Sequence, residues 1–296
     1  MPQFPQSPQS IRSGLQPDAS VDTRHYENFP VASWLCPPHL RAPIAAIYGF
    51  ARTADDIADE GDASAQQRLD DLAGMQDDLL RLGSSRPHSG RWPKVFDALA
   101  PVLTQYKLPL HLLTDLLDAF AQDVLKTRDK SSYRTEVELL DYCRRSANPI
   151  GRLLLHLYQV TGDTSLRMSD QICTALQLIN FWQDLSRDLP RGRFYLPADE
   201  CDKFNVTPMQ LLAGKATPAV LALIKAQVEL AKAMMLDGAP LAKHIPGRAG
   251  WELRLVVQGG LRIIDKIEQM QYATLTARPA IKALDAPILL WRAVFM

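Results

Sequence analysis

The sequence predicts an all-α protein: a single helical domain closed around an apolar interior. Three observations carry that expectation. Apolar residues recur with a helical period from His25 nearly to the C-terminus, no segment shows the period-two alternation of a half-buried strand, and neither an internal repeat nor a long linker divides the chain. At 296 residues, 47% of them hydrophobic, the chain is long enough to bury a substantial core.

The elements follow in order. Residues 1–22 are rich in proline, glutamine and serine with few apolar side chains, so they cannot offset their ordering entropy and are expected to be a disordered tail, leaving 23–296 as the domain. A helix near 26–35 stops at Pro37-Pro38, and one near 39–60, built on the apolar run Ile44 to Ala58, stops at Gly61. The next, 64–82, runs into the glycine-bounded stretch 83–90, and Pro109 separates 93–106 from 110–127. A long helix at 135–160 reaches Gly162, and 165–188 is cut by Pro190-Arg191-Gly192. Beyond Pro197 come 208–213, then 218–243 with Gly238 near its end, then 247–272 after Pro246-Gly247, and last 279–295. Gly151 to Val160 and Ile172 to Trp182 are apolar on more than one side, which places their helices centrally in a bundle.

Composition narrows the function. Basic and acidic residues number 33 each, so no global field recruits nucleic acid or an anionic membrane, and any attraction for an anion must be local. Cys36, Cys143, Cys173 and Cys201 lie far apart with no Cys-x-x-Cys pair, and no signal peptide is recognisable, which suits a reduced cytoplasmic setting. The longest apolar run, Ala42 to Ala51, falls well short of the ~20 residues of a membrane span. The apolar segment Pro287 to Met296 reads as a packed final helix in preference to a surface anchor. His39, His88, His111, His156 and His244 show no metal-binding spacing.

The segment Asp55-Asp-Ile-Ala-Asp-Glu60 is the chemical anomaly. Asp55 and Asp59 share a helix face one turn apart, a like-charge pair that costs roughly 0.2–0.5 kcal/mol. The segment also ends its helix, where the dipole is negative and acids are disfavoured. A cation reverses both penalties, and carboxylates that leave room for waters and phosphates suit Mg²⁺. Asn180-Phe-Trp-Gln-Asp184-Leu-Ser-Arg-Asp188 repeats the pattern, with Asp184 and Asp188 one turn apart just before Leu189-Pro190. Each segment alone could be a solvated helix face. If the two ends meet, four carboxylates converge, and cations bridging to a diphosphate would relieve their repulsion. Arginines suited to phosphate lie close by: Arg52 shares a face with Asp55, and Arg191 and Arg193 flank a glycine in a loop. Pairing with neighbouring acids is an equal expectation for Arg52, and Arg187 is expected to pair with Asp184.

These residues resemble a known family. Tyr48-Gly-Phe-Ala-Arg-Thr-Ala-Asp55-Asp-Ile-Ala-Asp59-Glu, Gln177-Leu-Ile-Asn180-Phe-Trp-Gln-Asp184-Leu-Ser-Arg-Asp188 and Arg191-Gly-Arg-Phe-Tyr-Leu-Pro197 are similar to the squalene/phytoene synthase family of head-to-head prenyl condensing enzymes, over about residues 25–275. Tyr142-Cys-Arg-Arg-Ser-Ala-Asn-Pro-Ile-Gly151 resembles that family's central helix. The opening His25-Tyr-Glu-Asn-Phe-Pro-Val-Ala-Ser33 looks like the hydroxysqualene-forming branch of the bacterial hopanoid pathway, as do Gln183 and Arg187 where other branches carry Arg and Glu.

The resemblance implies an isoprenoid-synthase helical bundle around a central apolar cavity. It implies that Asp55, Asp59, Asp184 and Asp188 hold Mg²⁺, in a number the residues do not fix. Catalytic roles fall by the same carry-over on Tyr48, Arg52, Tyr142, Gln177 and Asn180, and substrate contacts on His25, Asn28, Phe29, Arg52, Arg191, Arg193 and Tyr195. The implied substrate is presqualene diphosphate, which loses diphosphate to give a carbocation that rearranges and is captured by water. No NADPH is expected, and Gly259-Gly260 is no dinucleotide fingerprint. Presqualene, squalene or phytoene synthesis, and a non-catalytic assembly role, remain alternative readings. Because substrate and product are lipids, peripheral contact with the inner face of a membrane and coupling to the enzyme that makes presqualene diphosphate are further expectations.

Overall fold

The computed structural model describes residues 36–245 and 247–296. The described residues contain no strand and these helices: α1 (Pro38–Asp59), α2 (Ala65–Gly83), α3 (Pro93–Tyr106), α4 (Leu110–Asp129), α5 (Glu136–Ser146), α6 (Asn148–Leu157), α7 (Asp163–Asp188), α8 (Ala198–Lys203), α9 (Pro208–Leu212), α10 (Pro218–Gly238), α11 (Leu241–His244), α12 (Gly247–Gln269) and α13 (Ala286–Phe295). Short 3₁₀ turns occupy Leu189–Arg191 and Ala283–Asp285. The helix expected near 26–35, the tail 1–22 and the site candidates His25, Asn28 and Phe29 lie outside the described residues.

α7 is the hub, packed against α5, α6, α10, α11 and α12. Its buried side chains, among them Ile172, Ala175, Ile179, Trp182 and Leu185, lie on several sides, as a central helix requires. Each large apolar side chain so buried contributes roughly 1.5–3 kcal/mol. The core has two parts. Phe50, Met75, Phe96 and Leu113 knit α1 to α2, α3 and α4, while Trp182, Ile224, Met235 and Ile264 join α7 to α10 and α12. α6 is the seam, giving Leu153 and Leu157 to the first part and Leu155 to the second.

Several boundaries depart from expectation. The helix expected over 135–160 divides at Ala147, because Pro149 has no N–H to continue the ladder and the Asn148 side chain turns to accept from Thr174 Oγ1 at 2.9 Å. The one expected over 218–243 stops at Gly238, with Pro240 close behind. α8 was not expected; it is anchored by Ala198 N–H donating to the Tyr133 carbonyl. The last helix begins only at Ala286, since Pro279 is held in a non-helical segment by a side chain of α7 described below. It packs through Ala293, and Arg292 pairs with Asp265 at 2.7 Å. Its other side, with Leu290, Trp291, Val294 and Phe295, is exposed, so it is less fully packed than expected. No helix among the described residues is long and apolar enough to cross a membrane.

Candidate functional site

The acids at the end of α1 are held by their neighbours. Gly61 takes a left-handed conformation (φ +75°) directly after the helix. Arg68 of α2 donates to the carbonyls of Ile57 at 2.8 Å and Gly61 at 2.7 Å, so a cation sits at the negative end of the dipole. Within α1, Arg52 pairs with Asp56 at 2.6 Å and Asp55 at 3.4 Å. That is the neighbour-pairing alternative for Arg52.

The acids at the end of α7 come to the same place. After the 3₁₀ turn, Gly192 adopts φ +81°, a conformation costly for other residues, and the chain folds back so that Arg193 N–H donates to the Asp188 carbonyl. The Arg193 guanidinium then lies 2.9 Å from Asp59 and 3.8 Å from Asp188. It bridges the two motifs. Arg191 is exposed, and its charge still lowers the Asp59 carboxyl. Asp184 is held by Arg278, from the segment after α12, and not by Arg187, which points to solvent. The expected Arg187 pairing fails because Arg187 lies on the outer side of α7.

Gln183 has a different task from an arginine at that position. It is fully buried, and its Nε2 donates to the Pro279 carbonyl at 2.7 Å. It therefore grips the backbone next to Arg278 and does not face the acids.

The acids raise one another. Burial first, and then Asp59, push the Asp55 carboxyl up to about 7. Burial moves Asp188 up to about 7 against the pull of Arg193, with Asp184, Asp59 and Asp123 adding to the rise. Asp59 is raised too, by burial, with Arg193 opposing. A cluster that strains to take up protons is one that a cation would stabilise.

Asp123 of α4 was missed. It is 7% exposed, burial pushes it up to about 7, and Asp59 is the largest charge raising it. Sequence held one signal: Asp123 lies on the apolar stripe of α4 with Leu116, Leu117 and Val124, where an acid is out of place. Tyr195 donates to both of its carboxylate oxygens, at 3.1 and 3.0 Å. Around this pair lies an aromatic group: the Tyr195 ring stacks on Phe181 at 3.8 Å and 10°, and Tyr142, 3% exposed, packs on Phe181, Tyr195 and Tyr133. Tyr142 and Tyr195 thus lie beneath the acids. Tyr48 is half-buried one turn before Arg52, whose charge it feels. Gln177 is half-buried on α7, and Asn180 is exposed.

No three His, Cys, Asp or Glu side chains among the described residues gather around one point as a ready-made cage. The carboxylates are spaced by Arg193 and Arg278 instead. The donor set still fits Mg²⁺, which takes oxygen ligands and binds through one or two carboxylates with phosphate and water completing its shell.

Comparison with known proteins identifies the family. The squalene/phytoene synthase family model matches residues 23–285. The hydroxysqualene synthase of Rhodopseudomonas palustris is 34% identical over 251 residues, covering 84% of this chain and 82% of that protein. The phytoene synthase of Thermus thermophilus is 29% identical over 290 residues, covering 95% and 94%. The crystal structure of the squalene synthase HpnC from Alicyclobacillus acidocaldarius superposes with a TM-score of 0.75 at 35% identity, over 84% of this chain and 91% of that one.

Proposed function

Since the chain belongs to the squalene/phytoene synthase family and is an isoprenoid synthase, we propose that it converts presqualene diphosphate to hydroxysqualene. One observation carries the ionising step: two acidic helix ends, joined by Arg193, lie above a buried aromatic group. The branch is supported by the relative named hydroxysqualene synthase.

In this reading Asp55, Asp59, Asp184 and Asp188 hold Mg²⁺, which when bound neutralises the charge growing on the departing diphosphate oxygens. Arg193, Arg191 and Arg52 orient the diphosphate through their planar forks, with Arg52 released from Asp56 to do so. Tyr48, Gln177 and Asn180 line the approach, and the family resemblance assigns further substrate contacts to His25, Asn28 and Phe29. The faces of Tyr142, Phe181 and Tyr195 stabilise the carbocation left behind, and the apolar interior keeps bulk water from it. Water ends the reaction, so no NADPH is consumed. The lipid substrate and the apolar outer side of α13 support peripheral contact with a membrane, which flotation with phosphatidylcholine vesicles would detect. An upstream condensing enzyme supplies the cyclopropylcarbinyl diphosphate.

Incubation with presqualene diphosphate or farnesyl diphosphate, each with Mg²⁺, tests the reading. Consumption of presqualene diphosphate alone is expected. Consumption of farnesyl diphosphate with formation of a condensed product would assign the chain to a head-to-head condensing activity instead. No turnover of either would point to an assembly role, and unchanged product formation in Asp55→Ala would refute a metal-holding role for that residue.

A further inference from the structure

Asp123, Tyr195 and Tyr133 form a buried polar group for which neither metal nor diphosphate binding has a use. Tyr133, in the connection between α4 and α5, is 1% exposed, and its hydroxyl has no hydrogen-bond partner among the described residues. A buried hydroxyl left in this way costs about 1–3 kcal/mol. Its ring stacks on Tyr195 (6.2 Å, 21°), lies 5.5 Å from Tyr142 and carries Lys126 Nζ 4.4 Å from its centroid. Tyr133 thus stacks on the ring whose hydroxyl is bonded to Asp123, which brings Tyr133 and Asp123 to the two sides of one side chain, and Asp123 is the largest charge raising the Tyr133 hydroxyl. An ionised carboxylate has about four acceptor positions, and the single Tyr195 proton, shared between the two oxygens, leaves acceptor capacity on both. One hydroxyl therefore needs a partner beside a carboxylate with acceptors to spare. A single water meets both needs, having the two to four polar neighbours that a buried water requires.

We propose that Asp123 and Tyr133 hold the water that ends the reaction, with Tyr195 orienting the Asp123 carboxylate. This rests on the water-terminated reaction proposed above. Tyr195 turns its hydroxyl to Asp123 and stacks its ring on Phe181, so the held water and the far face of Phe181, where a cation can lie, belong to one aromatic stack. Diphosphate departs with the electron pair of its C–O bond. The water oxygen then forms a new C–O bond to the rearranged carbocation, one of its O–H bonds breaks, and that proton passes to the Asp123 carboxylate. The products are a neutral alcohol and a protonated Asp123, which later returns its proton to solvent.

The test measures diphosphate release and product identity together, for wild type, Tyr133→Phe and Asp123→Asn with presqualene diphosphate and Mg²⁺. Tyr195→Phe, which keeps the ring stack, serves as a third variant should either of the others fold poorly. Wild type is expected to give alcohol. In the variants the alcohol share of total product should fall about tenfold, the effect of losing roughly 1.4 kcal/mol of water binding, with hydrocarbon from proton loss taking its place while diphosphate release continues. An unchanged alcohol share in the variants would overturn the assignment, and loss of alcohol and diphosphate release in the same proportion would reassign these residues to ionisation. Failure of wild type to form alcohol would overturn the underlying reaction as well, and so is distinguishable from failure of the water site alone.

Discussion

Replacing Arg193 with methionine removes the cation between the two acidic helix ends and keeps most of the side-chain volume. At an effective dielectric near 20, its contacts with Asp59 at 2.9 Å and Asp188 at 3.8 Å correspond to gross attractions of about 6 and 4 kcal/mol. Desolvation of all three groups offsets most of this. The side chains of Arg193 and Asp188 are each 13% exposed and that of Asp59 26%, so solvent screens the remainder weakly. Deleting one partner of such a buried pair leaves the others facing each other uncompensated, at a cost of about 3–5 kcal/mol. Urea unfolding at pH 8 should show a loss near the lower end of that range. At pH 5.5 Asp188, raised to about 7, is largely protonated, and the loss should shrink to roughly 1 kcal/mol. Millimolar Mg²⁺ should restore stability to the variant more than to the wild type, because a cation would again lie between the carboxylates. A loss under about 1 kcal/mol at pH 8, or equal losses at both pH values, would refute the view that this charge balance joins the motifs.

The wild-type protein without metal should itself lose stability as pH rises. Asp123 and Asp188 have folded values of about 7 against an ordinary value of 3.8, so the folded state holds protons that the unfolded chain has released, and stability falls across about pH 4–7 until the cost is complete above it. Urea midpoints measured with EDTA at pH 5 and pH 8 check the sign, and Mg²⁺ with inorganic diphosphate should flatten the slope. Gln183→Leu deletes the hydrogen bond to Pro279 and leaves that carbonyl unpaired, costing about 1–3 kcal/mol. It should raise KM for the diphosphate substrate more than it lowers kcat, because Arg278 loses its anchor, and Gln183→Glu, unable to donate when ionised, should not rescue it. Arg68→Ala uncaps the end of α1, and hydrogen exchange should become faster at residues 57–62 without a comparable change in α7.

How much of this was legible in sequence depends on how far apart the partners lie in the chain. DDIADE and Asp184 to Asp188 stood out because each breaks a local rule, acids at the negative end of a helix, and Arg193 was visible as a loop arginine beside a glycine. The helical class and most helix positions followed from periodicity. What local reading missed depends on contacts between distant segments. Arg278 meets Asp184 across 94 positions and Tyr195 meets Asp123 across 72, and no pattern around either arginine or acid announces its partner. Arg187 was assigned to Asp184 for the same reason, since sequence proximity was the only measure of distance. The start of the last helix was misplaced because the Gln183 contact with Pro279, again across the fold, outweighs local helix propensity.

The central claim is that water ends the reaction at this site. Its most direct test is the mass of the product formed from presqualene diphosphate and Mg²⁺ in ¹⁸O-enriched water, with NADPH present. A thirty-carbon alcohol carrying one ¹⁸O is expected, with no NADPH consumed. A hydrocarbon formed with loss of NADPH, or an alcohol without the label, would contradict it.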